Sequence, residues 1–228
     1  MPIYHDRIEQ RTADWFQIRA GIPTASDMER IITHGGKASG QAEAYMNKLL
    51  AEWVLGEAIV GDYESRYMLD GRENEEPAVK AFEFQTGLKT AKVGFVTTDD
   101  GLIGCSPDRL VEDHGTLEIK CPASQTHIGY LLSTSVADDY KVQVQAQMWI
   151  CEREKSWVSA YHPRLAPVIL EIPRDDEFIA KIAAAVRTFV DVMLEKRLEL
   201  EKRFGPFVRQ DPYAWIKRKR REPVAEFA

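Results

Sequence analysis

The sequence predicts an α/β domain in which a small mixed β-sheet is flanked by helices. Three observations carry this expectation. Helical periodicity fills the early and late parts of the chain, while short β-rich runs separated by turn residues fill the middle. The 228 residues are 44% apolar and 29% charged, the balance of a folded globular chain. No repeat, low-complexity segment or Pro- or Ser/Gly-rich seam divides the sequence. Helices on both sides of a small sheet pack most economically as layers around one core. A single domain over residues 1–212, followed by a basic tail at 213–228, accounts for the length.

In order, Ser26-Asp-Met-Glu29 fits an S-x-x-E capping pattern before Ile31 and Ile32, so a helix is expected to begin at Ser26. Residues 41–59 read as helix, with Tyr45, Leu49 and Trp53 repeating every four residues on one face. A third helix is expected from about Glu73 to Thr86, stopped by Gly87. Three β-rich runs follow, at 94–98, 102–106 and 116–120. Asp99-Asp100-Gly101 and Glu112-Asp113-His114-Gly115 supply the turns of an antiparallel meander. Residues 137–151 return to helix through Tyr140, Val144, Met148 and Cys151. Runs at 157–162 and 168–172 read as strands joined by a turn from Pro163 to Pro167. A long helix covers Asp175 to about Arg203, with Phe178, Ile182, Ala185, Phe189 and Val192 inward and Gly205-Pro206 ending it.

Composition excludes several classes. The three cysteines, Cys105, Cys121 and Cys151, are odd in number and lack C-x-x-C spacing, so neither a disulfide framework nor a zinc knuckle is indicated, and a reducing cytoplasm is expected. The five histidines show no H-x-x-H or H-E-x-x-H spacing, which speaks against a zinc centre. No apolar run is long enough to span a bilayer, and the first residues carry no export pattern. No G-x-x-x-x-G-K-[ST] loop is present, so ATP dependence is not expected. The net charge of −6 is uneven. Lys217, Arg218, Lys219, Arg220 and Arg221 make the last twelve residues positive, leaving a strongly acidic body. An acidic body opposes indiscriminate polyanion binding, yet it leaves room for a locally basic groove beside carboxylate metal ligands. The tail itself is either a solvated terminus or a grip on nucleic-acid phosphates.

The chemistry centres on Ser106-Pro107-Asp108 and, after nine residues, Glu118-Ile119-Lys120. Residues two apart on a strand leave the same face, so Glu118 and Lys120 point together while Ile119 enters the core. Asp108, at the end of the neighbouring strand, reaches that face. Two carboxylates, a lysine ammonium and the Ile119 backbone carbonyl make either a hard, oxygen-rich Mg²⁺ site or a solvated surface ion pair, and spacing alone does not separate the two. Arg19 and Ser26 present a similar choice. The start of a helix beside a guanidinium makes an anion site, or Ser26 is an ordinary N-cap.

Five ordered blocks add a resemblance. Trp15-Phe-Gln-Ile-Arg19-Ala-Gly-Ile-Pro-Thr24-Ala-Ser26, Gly71-Arg-Glu-Asn-Glu75, Cys105-Ser-Pro-Asp108, Leu117-Glu-Ile-Lys-Cys-Pro122 and Gln143-Val-Gln-Ala-Gln-Met-Trp149 resemble the phage lambda exonuclease family, the YqaJ-type viral recombinases of the PD-(D/E)XK nuclease superfamily. The resemblance implies a restriction-endonuclease-like α/β/α core. It further implies a Mg²⁺-dependent enzyme, with two ions per site and Mn²⁺ able to substitute, that digests linear double-stranded DNA from the 5′ end and leaves 3′ overhangs for single-strand annealing. By motif, Asp108 and Glu118 become metal ligands, Lys120 the catalytic lysine, Glu75 and Gln143 further residues of the site, and Arg19, Ser26 and Ser106 the holders of a terminal 5′-phosphate. A ring-shaped homotrimer, a phage single-strand annealing protein as partner and a phage or prophage setting in a bacterial cytoplasm are implied in the same way. One family position departs: the acidic residue expected ten before the SPD aspartate is Thr98 here, and Asp99 and Asp100, which follow it, are left out of the catalytic set. A PD-(D/E)XK endonuclease and a non-catalytic DNA-end-binding protein are the alternatives.

Overall fold

The computed structural model describes residues 1–59, 66–133 and 136–207. The tail at 213–228, with Lys217, Arg218, Lys219, Arg220 and Arg221, lies outside the described residues. In chain order the elements are β1 (Ile3–Tyr4), α1 (Ala13–Arg19), a 3₁₀ turn (Ala25–Arg30), α2 (Ala42–Leu55), α3 (Arg66–Thr86), β2 (Thr90–Ala91), β3 (Val96–Thr97), β4 (Gly104–Cys105), β5 (Arg109–Val111), β6 (Gly115–Lys120), α4 (Ser124–Leu132), α5 (Val136–Asp139), α6 (Lys141–Cys151), β7 (Lys155–Ala160), β8 (Val168–Pro173) and α7 (Asp176–Phe204).

The strands form two sheets, ordered β1-β3-β4 and β2-β5-β6-β7-β8. All pairings are antiparallel except β6 with β7, where Glu118 lies beside Val158. A parallel pair needs a crossover, and α4 to α6 supply it. The expected mixed α/β architecture is therefore present, but the meander is not one sheet. The first hairpin, β3–β4, belongs to the small sheet, and the second, β5–β6, to the large one. The chain changes sheet at Ser106-Pro107-Asp108.

The large sheet sits between helical layers. On one face Leu117, Ile119 and Trp157 pack against Ala78, Val79 and Phe82 of α3. On the other, Val158 and Ala160 meet Tyr130 of α4 and Val144 of α6. The main core joins Tyr45 and Leu49 of α2, Val142 and Ile150 of α6, and Ile182, Phe189 and Met193 of α7 to the small sheet through Val96 and Cys105. Each of these side chains is nearly inaccessible to water, so most positions of the helical stripes read from periodicity are buried.

Several boundaries differ from expectation for physical reasons. Ser26 does not cap an α-helix. It sits inside a short 3₁₀ turn whose N-cap residue is Thr24, and its hydroxyl lies 3.3 Å from the Thr24 hydroxyl instead of bonding a helical N–H. The helix expected over 41–59 ends at Leu55, where Gly56 turns left-handed at φ 72°. α3 begins at Arg66, seven residues before the expected start, and carries Pro77 in its interior. The helix expected over 137–151 is broken at Tyr140 into α5 and α6. In α7 Val192 faces solvent, and Met193, one position on, is buried in its place. Helix α1, helix α4 and the short strands β1, β2 and β5 carry too little apolar periodicity to be read from sequence; Thr12 caps α1 by accepting from the Trp15 amide at 3.3 Å.

Candidate active site

Strand alternation builds the first half of the site. Leu117 and Ile119 enter the α3 side of the large sheet, so Glu118 and Lys120 emerge together toward α6. Glu118 is only 5% exposed. Its Oε1 accepts from Lys120 Nζ at 2.7 Å and its Oε2 from Gln147 Nε2 of α6, also at 2.7 Å. Lys120 Nζ stands 4.2 Å from the centre of the Tyr140 ring, a cation–π contact made possible by the break between α5 and α6. Asp108 immediately precedes β5, and its Oδ2 accepts from the Ile119 amide at 2.6 Å. In a strand the N–H and C=O of one residue leave by the same edge, so the Ile119 carbonyl is directed to the Asp108 side as well.

The charges are strained in a useful direction. Burial, and next the Glu118 charge, push the Asp108 carboxyl well above its ordinary range, and Glu75 adds to the shift. Burial pulls Lys120 the other way, but Glu118 and Asp108 outweigh it and hold the ammonium above its ordinary pKa. Lys120 is thus a stable cation in the resting site. Crowded carboxylates on an oxygen-only donor set fit a hard divalent cation, which would offset the burial and the repulsion that raise Asp108. Asp108, Glu118 and the Ile119 carbonyl are the groups that would hold it. Among the described residues no cluster of three or more His, Cys, Asp or Glu ligands is gathered in place, so a cation held here would need the Ile119 carbonyl and water as well.

Glu75 reaches this corner from α3. Its Oε1 is 3.1 Å from Arg109 Nη1 and its Oε2 is 2.7 Å from Arg11 Nη1. Arg109 also donates to the Asp108 carbonyl at 2.7 Å and to Glu76 at 2.5 Å, tying α3 to β5. Gln143 lies half-buried on α6, one turn before Gln147, and the hydrogen bond from this helix to Glu118 comes from Gln147. Asp99 and Asp100 stay out of the site. Asp100 Oδ1 closes the β3–β4 turn by accepting from the Thr98 hydroxyl at 2.5 Å and the Leu102 amide at 3.0 Å, and Asp99 bonds the Asp100 amide.

A second constellation lies two residues upstream of Asp108. The Arg19 guanidinium lies 4.0 Å from the centre of the Trp15 ring, donates to the Ser106 hydroxyl at 3.2 Å and to Thr24 at 3.3 Å, and comes within 3.5 Å of Ser26. Trp15 Nε1 donates to the same Ser106 oxygen at 2.8 Å, which leaves the Ser106 proton free to donate. Arg19 faces a cavity of about 220 Å³ lined also by Phe16, Tyr45 and Lys48. The structure therefore brings the sequence-derived trio Arg19, Ser26 and Ser106 together. The members missed from sequence are Trp15 and Thr24, both inside the same motif block, and Gln147, whose signal is a polar residue at a buried position one turn from Gln143.

This layered α/β core, with an acid–acid–lysine corner where two sheets meet, defines a nuclease-type protein of the PD-(D/E)XK superfamily. More particularly, the chain belongs to the YqaJ-like viral recombinase family, whose domain matches residues 14–154. It is similar to the alkaline exonuclease LHK-Exo of Laribacter hongkongensis, solved alone and in complex with dAMP, with 30% identity and a TM-score of 0.76 over 84% of this chain and 97% of that one. It shares its fold with a phage related exonuclease from Haemophilus somnus 129PT, at 17% identity and a TM-score of 0.57 over 77% of this chain and 96% of that one. No curated protein matches the sequence. Among the described residues no helix is long and apolar enough to cross a membrane.

Proposed function

We propose that this chain is a Mg²⁺-dependent 5′-to-3′ exodeoxyribonuclease that acts on linear duplex DNA and leaves 3′ single strands for annealing. The observation that carries the reading is the continuity of the two constellations: Ser106, which accepts from Arg19, is separated from Asp108 by Pro107 alone. A guanidinium ringed by hydroxyls next to a carboxylate corner suits a polyanion gripped by its end. In this reading Arg19, Thr24, Ser26 and Ser106 hold a terminal 5′-phosphate, with the guanidinium fork and free hydroxyl protons as donors. Asp108, Glu118 and the Ile119 carbonyl bind the metal, for which Mn²⁺ substitutes, and two ions fit the chemistry of in-line phosphoryl displacement. When bound, such an ion would lower the pKa of water and neutralise charge on the phosphate. Lys120, an ammonium fixed by Glu118 and Tyr140, orients the attacking water, while Glu75 accepts its proton and Gln143 lines the approach.

The dAMP complex of the similar alkaline exonuclease is in keeping with release of mononucleotides. A single catalytic domain over 1–212, a trimeric ring, a phage-type annealing partner, a bacterial cytoplasm and a DNA grip by Lys217 to Arg221 belong to the same proposal. The test compares linear duplex bearing a 5′-phosphate, the same duplex with a 5′-hydroxyl, and closed circular DNA, each with Mg²⁺ or EDTA. Metal-dependent loss of the 5′-phosphorylated linear form, with the circle intact, is expected. Cleavage of the circle supports an endonuclease, and binding of ends without cleavage supports a scaffold.

A further inference from the structure

We propose that Arg11 is a substrate-contacting residue of this site, a guanidinium parked on Glu75 that moves to a DNA backbone phosphate when substrate enters. The inference rests on the nuclease reading above and assigns Arg11 a role that neither the motif nor the fold supplies.

Its backbone is the first observation. Arg11, at φ 67°, is one of three non-glycine residues in the left-handed region among the described residues. An L-residue is disfavoured there, so something must hold it. Both neighbours do. The Gln10 amide donates to the Val93 carbonyl at 2.8 Å and to the Pro107 carbonyl at 2.9 Å, next to Asp108. On the other side the Thr12 hydroxyl donates to Glu9 at 2.7 Å and caps α1. Gly94 makes the clamp possible, because a Cβ there would lie 1.9 Å from the Ile8 carbonyl oxygen. The segment is thus pinned to the strand leading into Asp108, and Arg11 is wedged toward Glu75.

The second observation is redundancy. Arg109 is only 6% exposed and already joins Glu75 to the Asp108 backbone and to Glu76. Arg11 is 40% exposed and pairs with the other oxygen of Glu75. A half-exposed ion pair contributes little to stability and does no more than offset the left-handed backbone. Stability therefore does not explain the geometry, whereas a cation held ready at a functional site does.

The third is location. Arg11 lines an open cleft of about 390 Å³ with Arg7, Lys92 and Arg109, and four carboxylates, Glu75 among them, share its wall, so a phosphate entering there would be met by basic groups that carboxylates now hold. Among the described residues Glu75 is the ion-pair partner of Arg11, so most of a five-donor fork is left for an incoming phosphate. Exchange of the Glu75 carboxylate for a phosphodiester keeps Arg11 paired throughout and releases one Glu75 oxygen to the reacting water.

The experiment measures binding of a 5′-phosphorylated linear duplex in Ca²⁺ across about 50–200 mM salt, and turnover in Mg²⁺. Wild type is compared with Arg11→Ala, Arg11→Lys, Arg11→Gly, Glu75→Gln and the Arg11→Ala/Glu75→Gln pair. Loss of one phosphate contact lowers the slope of log K against log salt by about 0.9, and turnover should fall about tenfold or more. Arg11→Lys should restore the slope but only part of the turnover, since an ammonium lacks the planar fork. Arg11→Gly, suited to the backbone, should melt no lower than wild type while showing the same slope loss, which separates the effect from misfolding. If Arg11 only braces Glu75, the slope stays at the wild-type value in Arg11→Ala, or the loss vanishes in the Glu75→Gln background, and either result overturns the inference. A wild-type protein that neither binds nor cuts DNA overturns the nuclease reading with it; one that cuts normally beside an unaltered Arg11→Ala overturns this assignment alone.

Discussion

The two halves of the site are electrostatic opposites. Around Asp108 and Glu118, carboxylates crowd in a recess and one of them is pushed far toward its protonated form. Around Arg19, a cation is surrounded by hydroxyls and an aromatic face, and none of its hydrogen-bond partners carries a negative charge. The first half holds two carboxylates against one lysine, and the second presents a guanidinium that the nearby Asp27 and Glu52 influence without hydrogen-bonding it. Each therefore retains capacity for a partner of opposite charge, and the two lie two residues apart on one stretch of chain. Preorganisation here consists of leaving charge unbalanced in two places with opposite sign, at a cost in stability that the surrounding core carries.

The largest effect should come from breaking the carboxylate half. Asp108→Ala, Glu118→Ala and Lys120→Ala should each reduce metal-dependent cleavage by about a thousandfold or more, with double substitutions little worse, because the three act as a unit. Turnover on an end-labelled duplex measures this, and near-normal activity of Lys120→Ala would falsify the mechanism. Breaking the cationic half should act differently. Arg19→Ala should remove most of a tenfold to hundredfold preference for 5′-phosphate over 5′-hydroxyl ends, the worth of one charge-assisted contact at about 1.5–3 kcal/mol. Equal rates on both ends in wild type would remove the pocket from the scheme.

The comparison sharpens at Gln147, which serves the acidic half without carrying charge. Gln147→Leu deletes the donor to Glu118 Oε2 and should raise the Mg²⁺ concentration for half-maximal activity by about tenfold, as expected for a partner that orients a metal ligand. Calorimetric metal titration of the DNA-free protein reads the same change. The smallest effect concerns stability. Asp108→Asn keeps an acceptor for the Ile119 amide but removes the crowded charge, so the metal-free protein should melt a few degrees higher, in line with about 1 kcal/mol in a chain of this size, while losing activity. Mg²⁺ should raise the melting temperature of wild type and not of this variant. A lower melting temperature for Asp108→Asn without metal would show that the charge is not a burden.

Much of the site was legible because its chemistry is local in sequence. Glu118 and Lys120 sit two apart, and strand alternation alone puts them on one face. Asp108 could be placed beside them because a hairpin returns the chain over so short a distance. Arg19, Ser26 and Ser106 were legible through the motif blocks, although the capping pattern at Ser26 misled: its hydroxyl faces Thr24 and Arg19, a tertiary arrangement that outweighs the local preference for an N-cap. The split of the meander into two sheets was not legible, because β3, β4 and β5 are two or three residues long and pattern cannot assign so few residues to a sheet. Gln147 was hidden by its company, since it lies among Val144, Met148 and Cys151 on a helix whose other buried residues are mostly apolar. The arginine pair on Glu75 joins residues 64 and 34 positions apart, and only the packing of α3 against β5 and the N-terminal segment reveals it.

The proline between Ser106 and Asp108 has a metrical consequence. Its ring holds φ near −65°, and its carbonyl is fixed by the Gln10 amide. Two residues of chain span at most about 7 Å, so Ser106 and Asp108 are joined by a short strut of nearly constant length. On the proposed function that strut would act as a gauge between the held strand end and the carboxylate corner, and an insertion beside Pro107 would be expected to alter product size before it altered chemistry.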